Sequence, residues 1–536
     1  MTTSLSNAPT AAVVATAAAA TPSAAAVPPG FAEAARTNAS RFIVLTLCLA
    51  AILSTLAFGT VNSWSIAVFQ LGAGLVVVLW AIDAWGTRRL RLSRNFLQWP
   101  LAGLFVVGLV QLLPLGGGGV GSVGGLSVEP VRALSLDPYT TRFVLIQIGA
   151  LFIYFAAALV FIDTPRRLRL VVRVLIIFGF LLALFSLLQH FVNPSQIFWL
   201  REPKQATPFG PFVNRHHFAA CMELLLTVPL GLLFSGAIET ERKPLYIFAA
   251  GLMSLALVLS ASRGGFLSLA AAVLFLVVVA GMTRRRDGTT VEDSAAAAGR
   301  PAPSRVRSAL LRALLGFALV LGLLAGALLF GGEEALSRMV GTVNADDPTT
   351  GRAQFWRGTI KVIKEYPLLG AGLGAFHVAY TRHDPLTGLL RLEQAHNDYL
   401  QVLADAGIVG GTLGLLFVVA LFRKGLARGA ASDDKFRRGI ATGALAGCFA
   451  VLVHSFFDFP LHMTSNALLF LLLAALATLN GRVEDLEAVE RHRRHHGGTR
   501  RRRSRRRPGG RTAEATPRAA TAGENPPAPA TTGSRT

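Results

Sequence analysis

Charge is scarce in this chain. Only 15% of its 536 residues are Asp, Glu, Lys or Arg, whereas 52% are hydrophobic. A water-soluble protein of this size carries about a quarter charged residues, so a soluble globular enzyme is excluded. Cysteine is nearly missing, and Cys48, Cys221 and Cys448 all lie within apolar blocks, so no disulfide framework is expected. The N-terminal stretch is Ala, Thr, Pro and Ser with no basic region ahead of an apolar core, which excludes a secretory signal. Acidic residues are also few, 30 against 52 basic ones.

Long apolar runs are what the sequence has in abundance, many of them about 20 residues long, the length that crosses ~30 Å of hydrocarbon. They predict an all-α polytopic membrane protein of about 12 transmembrane helices, near 42–60, 64–82, 97–115, 143–162, 172–191, 217–236, 245–261, 265–282, 309–331, 405–422, 439–456 and 464–480. The remaining organisation is a disordered Ala/Pro-rich tail over 1–40, a transmembrane domain over 41–480 and a disordered Arg-rich tail over 481–536. The connecting segments alternate in charge. About three quarters of Lys and Arg fall on the even-numbered loops and the two tails, and such charge stays cytoplasmic. Both termini are therefore expected in the cytoplasm, with the odd-numbered loops facing outward. The large outward loop, 332–404, lies between spans 9 and 10.

The tail "RHRRHHGGTRRRRSRRRPGG" invites a nucleic-acid reading. An anionic inner leaflet is nearer and attracts such runs at ~1 kcal/mol per basic residue. The expected partner is thus anionic inner-leaflet lipid, and no nucleic acid is expected.

Of the eleven histidines, His190, His216, His217, His377, His383, His396, His454 and His462 lie in or at the edge of outward segments. Packing alone does not sort a residue to one side, whereas a shared outward-facing site does. In the large loop, Phe355, Trp356, Ile360 and Ile363 share a helical face and Arg357, Lys361 and Lys364 another. That is an amphipathic interfacial helix, ended by Pro367. Gly370, Gly372 and Gly374 then permit tight turns and close backbone approach.

"AHNDYLQVLADAGIVGG" (395–411) opens span 10. An imidazole at an exposed membrane edge can take a proton from a hydroxyl, which makes His396 the candidate base. Asn397 or Asp398 could orient it, and Asp398 could equally cap the helix. Gly407, Gly410, Gly411 and Gly414 provide small-residue contacts between helices. "ASRGGF" places Arg263 in a minimal outward turn, where a guanidinium suits bidentate phosphate binding at headgroup depth; snorkelling to native headgroups is the plainer reading. Arg352 and Arg357 are further anion-binding candidates. "FVNRHHFAA" brings Arg215, His216 and His217 to the outer start of span 6. "HSFFDFPLHM" brings His454, Asp458 and His462 to the outer end of span 11. Pro460 breaks the helical register between Asp458 and His462, so no metal site is expected from that spacing.

In this order, the pieces resemble the O-antigen ligase and O-antigen polymerase superfamily of bacterial envelope glycan enzymes, over roughly residues 40 to 480. His396, Asn397, Gly407 and Gly410 match its signature of a histidine, a polar residue, nine positions and Gly-x-x-Gly, and "SASRGGF" and "NRHHFA" are similar to further elements. The resemblance implies a metal-independent, cofactor-free glycosyltransferase of the bacterial inner (plasma) membrane. It would move an undecaprenyl-pyrophosphate-linked glycan donor onto a sugar hydroxyl at the periplasmic face. The acceptor is lipid A–core in ligases, another lipid-linked repeat in polymerases and a protein hydroxyl in related oligosaccharyltransferases. It makes His396 the catalytic base and Arg263, Arg215, Arg352 and Arg357 pyrophosphate ligands. Asn397, Asp398, Gly407, Gly410, His454 and Asp458 support them.

Two rivals belong to other classes. A twelve-span transporter usually has its long connection between spans 6 and 7, which here is one short turn; Glu223 is its main ionisable candidate. A non-catalytic scaffold predicts that His396 and Arg263 are dispensable.

Overall fold

The computed structural model describes residues 37–116, 121–123, 126–128, 132–204, 206–279, 352–384 and 391–479. Residues 1–36 of the N-terminal tail, the C-terminal tail and the span expected over 309–331 lie outside them, while α1 already begins at Asn38, inside the tail expected to run to 40. The helices are α1 (Asn38–Leu56), α2 (Ser63–Thr87), α3 (Gln98–Gln111), α4 (Pro138–Phe161), α5 (Pro165–Val192) and α6 (Arg215–Ser235). They continue as α7 (Lys243–Leu259), α8 (Arg263–Val279), α9 (Arg352–Glu365), α10 (Phe376–Tyr380), α11 (Asp398–Ala431), α12 (Lys435–His454) and α13 (Thr464–Thr478). Eight helices among the described residues are long and apolar enough to cross a membrane, and α3, α8 and α13 are shorter apolar helices. Eleven of the expected spans thus coincide with a helix. Among the described residues, the two-stranded antiparallel hairpin of Gly121–Val123 with Leu126–Val128 and the isolated bridges Ile197–Arg201 and Phe209–Phe212 are extended pairings not expected from the sequence.

Starts of the helices are written locally. Asp137 and Thr164 each precede a proline and accept a backbone N–H three residues on, from Thr140 and Arg167. Asn214 and Asp434 cap α6 and α12 in the same way, accepting from the N–H of His216 and Phe436.

At the centre, α6 and α13 are buried almost throughout. The main partner of α6 is α12, and the contact is close because small residues face each other. A side chain at Gly231 would run into the backbone of Gly439 and Gly443. Glu223 is the lone acid on α6, with no solvent exposure. The two ends of the bundle differ in charge chemistry. At one end Arg91 and Arg167 pair with Asp83 and Asp163. The other end gathers the start of α6, the end of α7, the starts of α8, α9 and α11, and the turn after α12, with His216, His217, His396, His454 and His462.

The expected amphipathic helix is α9. Gly358, Thr359 and Val362 form its buried stripe, with Phe355, Trp356 and Ile363 half-buried beside it, and it packs on α11. Arg357, Lys361 and Lys364 are exposed as expected, but Ile360 is 43% exposed and does not join the buried face.

Candidate functional site

Helix α11 is broken at Gly407, whose φ of 63° and ψ of −163° lie outside helical space. A break there separates the N–H groups of Ile408 and Val409 from the carbonyls of Ala404 and Asp405, their ordinary i−4 partners. All four groups are satisfied by the segment after α9. Ile408 N–H donates to Pro367 O at 2.8 Å and Val409 N–H to Leu368 O at 3.3 Å. In return Ala371 N–H donates to Ala404 O at 2.8 Å and Gly372 N–H to Asp405 O at 3.2 Å. Gln111 of α3 secures the junction, donating to Leu369 O and Asp405 O and accepting from Leu373 N–H. Gly370, Gly372 and Gly374 all have positive φ, which this tight course needs and the sequence reading anticipated. Gly407 is therefore a backbone break, where the sequence suggested a small-residue helix contact. Gly414 meets nothing within 4 Å and makes no such contact either. Gly410 lies near Leu104 of α3. The splice binds α9, which begins with Arg352, to α11, which begins just after His396.

His396 has a φ of 52°, a left-handed conformation uncommon for a residue with a side chain and characteristic of functional sites. Its Nδ1 is 3.2 Å from Asp458 Oδ1. The imidazole is flanked by Phe355 at 6.2 Å and Phe459 at 4.9 Å between ring centroids. Asp458 lies in the turn after α12, with 1% exposure. Burial pushes its carboxyl up, but the hydrogen bond with His396 and the imidazoles of His217, His216 and His396 outweigh that. Its pKa ends below the ordinary carboxylate range, so Asp458 is anionic at neutral pH. Arg352 reaches the same turn: Nη2 is 3.7 Å from Asp458 Oδ2, and Nη1 donates to Phe457 O.

Neither residue expected to orient His396 does so. Asn397 caps α11, accepting from the N–H of Tyr399 and Leu400, and donates to Phe456 O. Asp398 accepts from Ser455 Oγ and Leu461 N–H and pairs with His462 Nδ1 at 2.5 Å. Burial pulls the His462 imidazole down, and the bond and charge of Asp398, aided by Asp405, override it, so its pKa lies above the ordinary histidine value. Both residues pin the start of α11 to the turn after α12. Asp458 is the partner of His396.

Behind Asp458, ligand atoms of His216, His454 and Asp458 lie within 4.8 Å of one another. His216 Nδ1 is 2.8 Å from Ser262 Oγ, and His454 Nδ1 is 2.8 Å from Glu223 Oε1. This is the one group of three metal-ligand residues among the described residues, assembled across elements rather than from the local spacing. The Arg352 guanidinium shares the Asp458 carboxylate, with Nη2 at 3.7 Å from Oδ2.

Arg263 is exposed as the first residue of α8, whose N-cap Ser262 accepts from Gly265 N–H at 3.2 Å. Arg215 opens α6 at the same end, partly buried. Arg357 is not brought in: five residues after Arg352 it sits about 140° round the helix and is exposed. Nor do all outward histidines converge. His190 packs on Phe209, His377 is 3.6 Å from Asp137, and His383 is 3.1 Å from Glu365. The residues missed from sequence are Ser262, Glu223 in its bond to His454, and the two phenylalanines around His396. An acid four residues after a helix-ending histidine, in the apolar turn "HSFFDFP", was the available signal for Asp458.

Residues 248–415 match a family model described as O-Antigen ligase. The matched stretch contains the Arg263 turn, Arg352, the splice and His396. Arg215, His216, His454 and Asp458 fall outside it. No curated protein matches the chain.

Proposed function

We propose that this chain, which carries an O-antigen ligase family domain over residues 248–415, transfers a glycan from undecaprenyl pyrophosphate to a sugar hydroxyl at the periplasmic face. The observation that carries the reading is the His396–Asp458 pair. The anionic Asp458 oxygen accepts a hydrogen bond from Nδ1–H, which leaves Nε2 as the basic nitrogen. The acceptor hydroxyl loses its proton to His396 Nε2 as its oxygen bonds to the anomeric carbon. The bond from that carbon to the pyrophosphate breaks, and its electron pair leaves with undecaprenyl pyrophosphate. Negative charge grows on the leaving group, and cations fixed beside it lower the barrier. Arg263 and Arg215 serve there, while Arg352 holds Asp458 and helps shape the site. The chemistry needs no metal ion.

The charge alternation along the sequence supports the periplasmic assignment and a bacterial inner membrane location with both termini in the cytoplasm. Glu223, the residue on which a transporter reading leans, is committed to His454, which supports transfer over transport.

Product analysis tests the reading. Purified protein in nanodiscs receives a lipid-linked glycan, with and without lipid A–core, in EDTA. Glycan on the core acceptor is the expected product. Longer lipid-linked chains formed without that acceptor would make the protein a polymerase. Movement of labelled glycan across vesicles with no new glycosidic bond would replace transfer by transport, and dependence on a divalent ion would refute the metal-free step.

A further inference from the structure

Glu223 is fully buried on α6, two turns from Arg215. Its Oε1 bonds His454 Nδ1 at 2.8 Å, and its Oε2 has no hydrogen-bond partner. A carboxylate withdrawn from water is costly, and replacing a buried ion pair by apolar side chains often leaves stability unchanged or improved. Stability is therefore a poor reason for an acid at this point.

The position of the His454 ring supplies a better one. A bond from a carboxylate to Nδ1 fixes both tautomer and orientation of an imidazole. With 1% exposure, the ring then presents its other edge to the turn between α7 and α8. A Cβ placed on Gly264 would lie 2.9 Å from both Cδ2 and Nε2 of His454. The same turn is also held by His216 through Ser262, and Ala261 takes a positive φ of 52° to enter it. Gly264 directly follows Arg263. The ring of His454 is thus a wall against which the arginine-bearing turn is set, and Glu223 keeps that wall in place.

We propose that Glu223 is a positioning residue for donor binding: through His454 it fixes the 261–265 turn, and with it Arg263. The inference rests on the transferase reading above and adds a residue that makes no contact with substrate.

The test is steady-state transfer by the full chain in nanodiscs at varied concentrations of a lipid-linked glycan. Glu223→Met removes the acceptor for Nδ1 while keeping the volume. It should raise the donor KM about tenfold, a loss of about 1.4 kcal/mol of binding, with kcat changed less than about twofold. Glu223→Gln keeps an oxygen that accepts from Nδ1 and should stay near wild type in both constants. Gly264→Ala pushes on the same ring from the other side and should resemble Glu223→Met. Combining the two should cost little more than either, because they act through one side chain. If Gly264→Ala fails to insert, the contrast between Met and Gln at 223 decides alone. A wild-type KM in Glu223→Met would overturn the proposal. So would a joint fall of kcat, donor affinity and melting temperature, the mark of general structural damage. If the wild type itself transfers no lipid-linked glycan, the transferase reading fails first and the proposal falls with it.

Discussion

Replacing Gly407 by alanine should damage this protein far more than its size suggests. At φ 63° and ψ −163° the residue occupies space open essentially to glycine, and a side chain there costs about 1–3 kcal/mol in backbone strain. The added carbon would also strike the Leu368 carbonyl and lie 2.7 Å from Gly370 N. The 367–372 segment must then move away and give up the four hydrogen bonds that splice it to α11, each worth about 1 kcal/mol net. The sum is on the order of 5 kcal/mol, a large part of the ~5–15 kcal/mol that holds a folded protein together. For a chain of 536 residues, at about 2.1 cal/mol/K of unfolding entropy per residue, the expected fall in Tm is about 4–6 °C. Unfolding in detergent, followed by tryptophan fluorescence, measures it. Gly414→Ala is the control, since a Cβ there meets nothing and alanine favours helix by about 1 kcal/mol. If Gly407→Ala melts within about 2 °C of Gly414→Ala, the splice is not the structural element described here.

Asp458→Asn preserves shape but loses the anion that fixes the His396 proton; kcat should fall by about 10²–10⁴-fold with a nearly constant donor KM, measured by initial-rate transfer. Arg352→Ala leaves Asp458 without its guanidinium and should lower kcat strongly, whereas Arg357→Ala, on the exposed side of α9, should stay within about twofold in the same assay. The His462–Asp398 pair gives a pH signature. The folded His462 pKa is raised, so its stabilisation is full below the unfolded value of about 6.5 and is lost as pH rises through the folded value. Wild-type Tm should therefore drop more between pH 5.5 and 8.5 than that of His462→Gln, and equal drops would remove the pair from the stability of this turn.

Sequence revealed the bundle well because the bilayer dictates it. Span length and loop charge are imposed from outside, and eleven expected spans coincide with helices without tertiary information. His396 and Arg263 stood out as candidates for a related reason, since a titratable or cationic group at a membrane edge stands out against apolar surroundings. Their pairings did not stand out, although Asp458 was among the supporting residues expected. Asp458 lies 62 residues from His396, and only the packing of the start of α11 against the turn after α12 joins them. Local spacing suggested Asn397 and Asp398 instead, but a positive φ at His396 turns the chain so that both serve the helix start. Ile360 has the right period for the buried face of α9, yet the docking of that helix on α11 selects Gly358, Thr359 and Val362. The role of Gly407 escaped because two readings compete for a glycine in an apolar helix, close packing or a break. Only the partners of Ala404, Asp405, Ile408 and Val409 tell them apart.

The central claim is that His396, held by Asp458, removes the acceptor proton. Its most direct test is single-turnover transfer with donor prebound, comparing wild type with His396→Ala while donor binding is measured separately. Donor binding should be unchanged and transfer should fall at least about 10²-fold. Transfer at the wild-type rate in His396→Ala would contradict it.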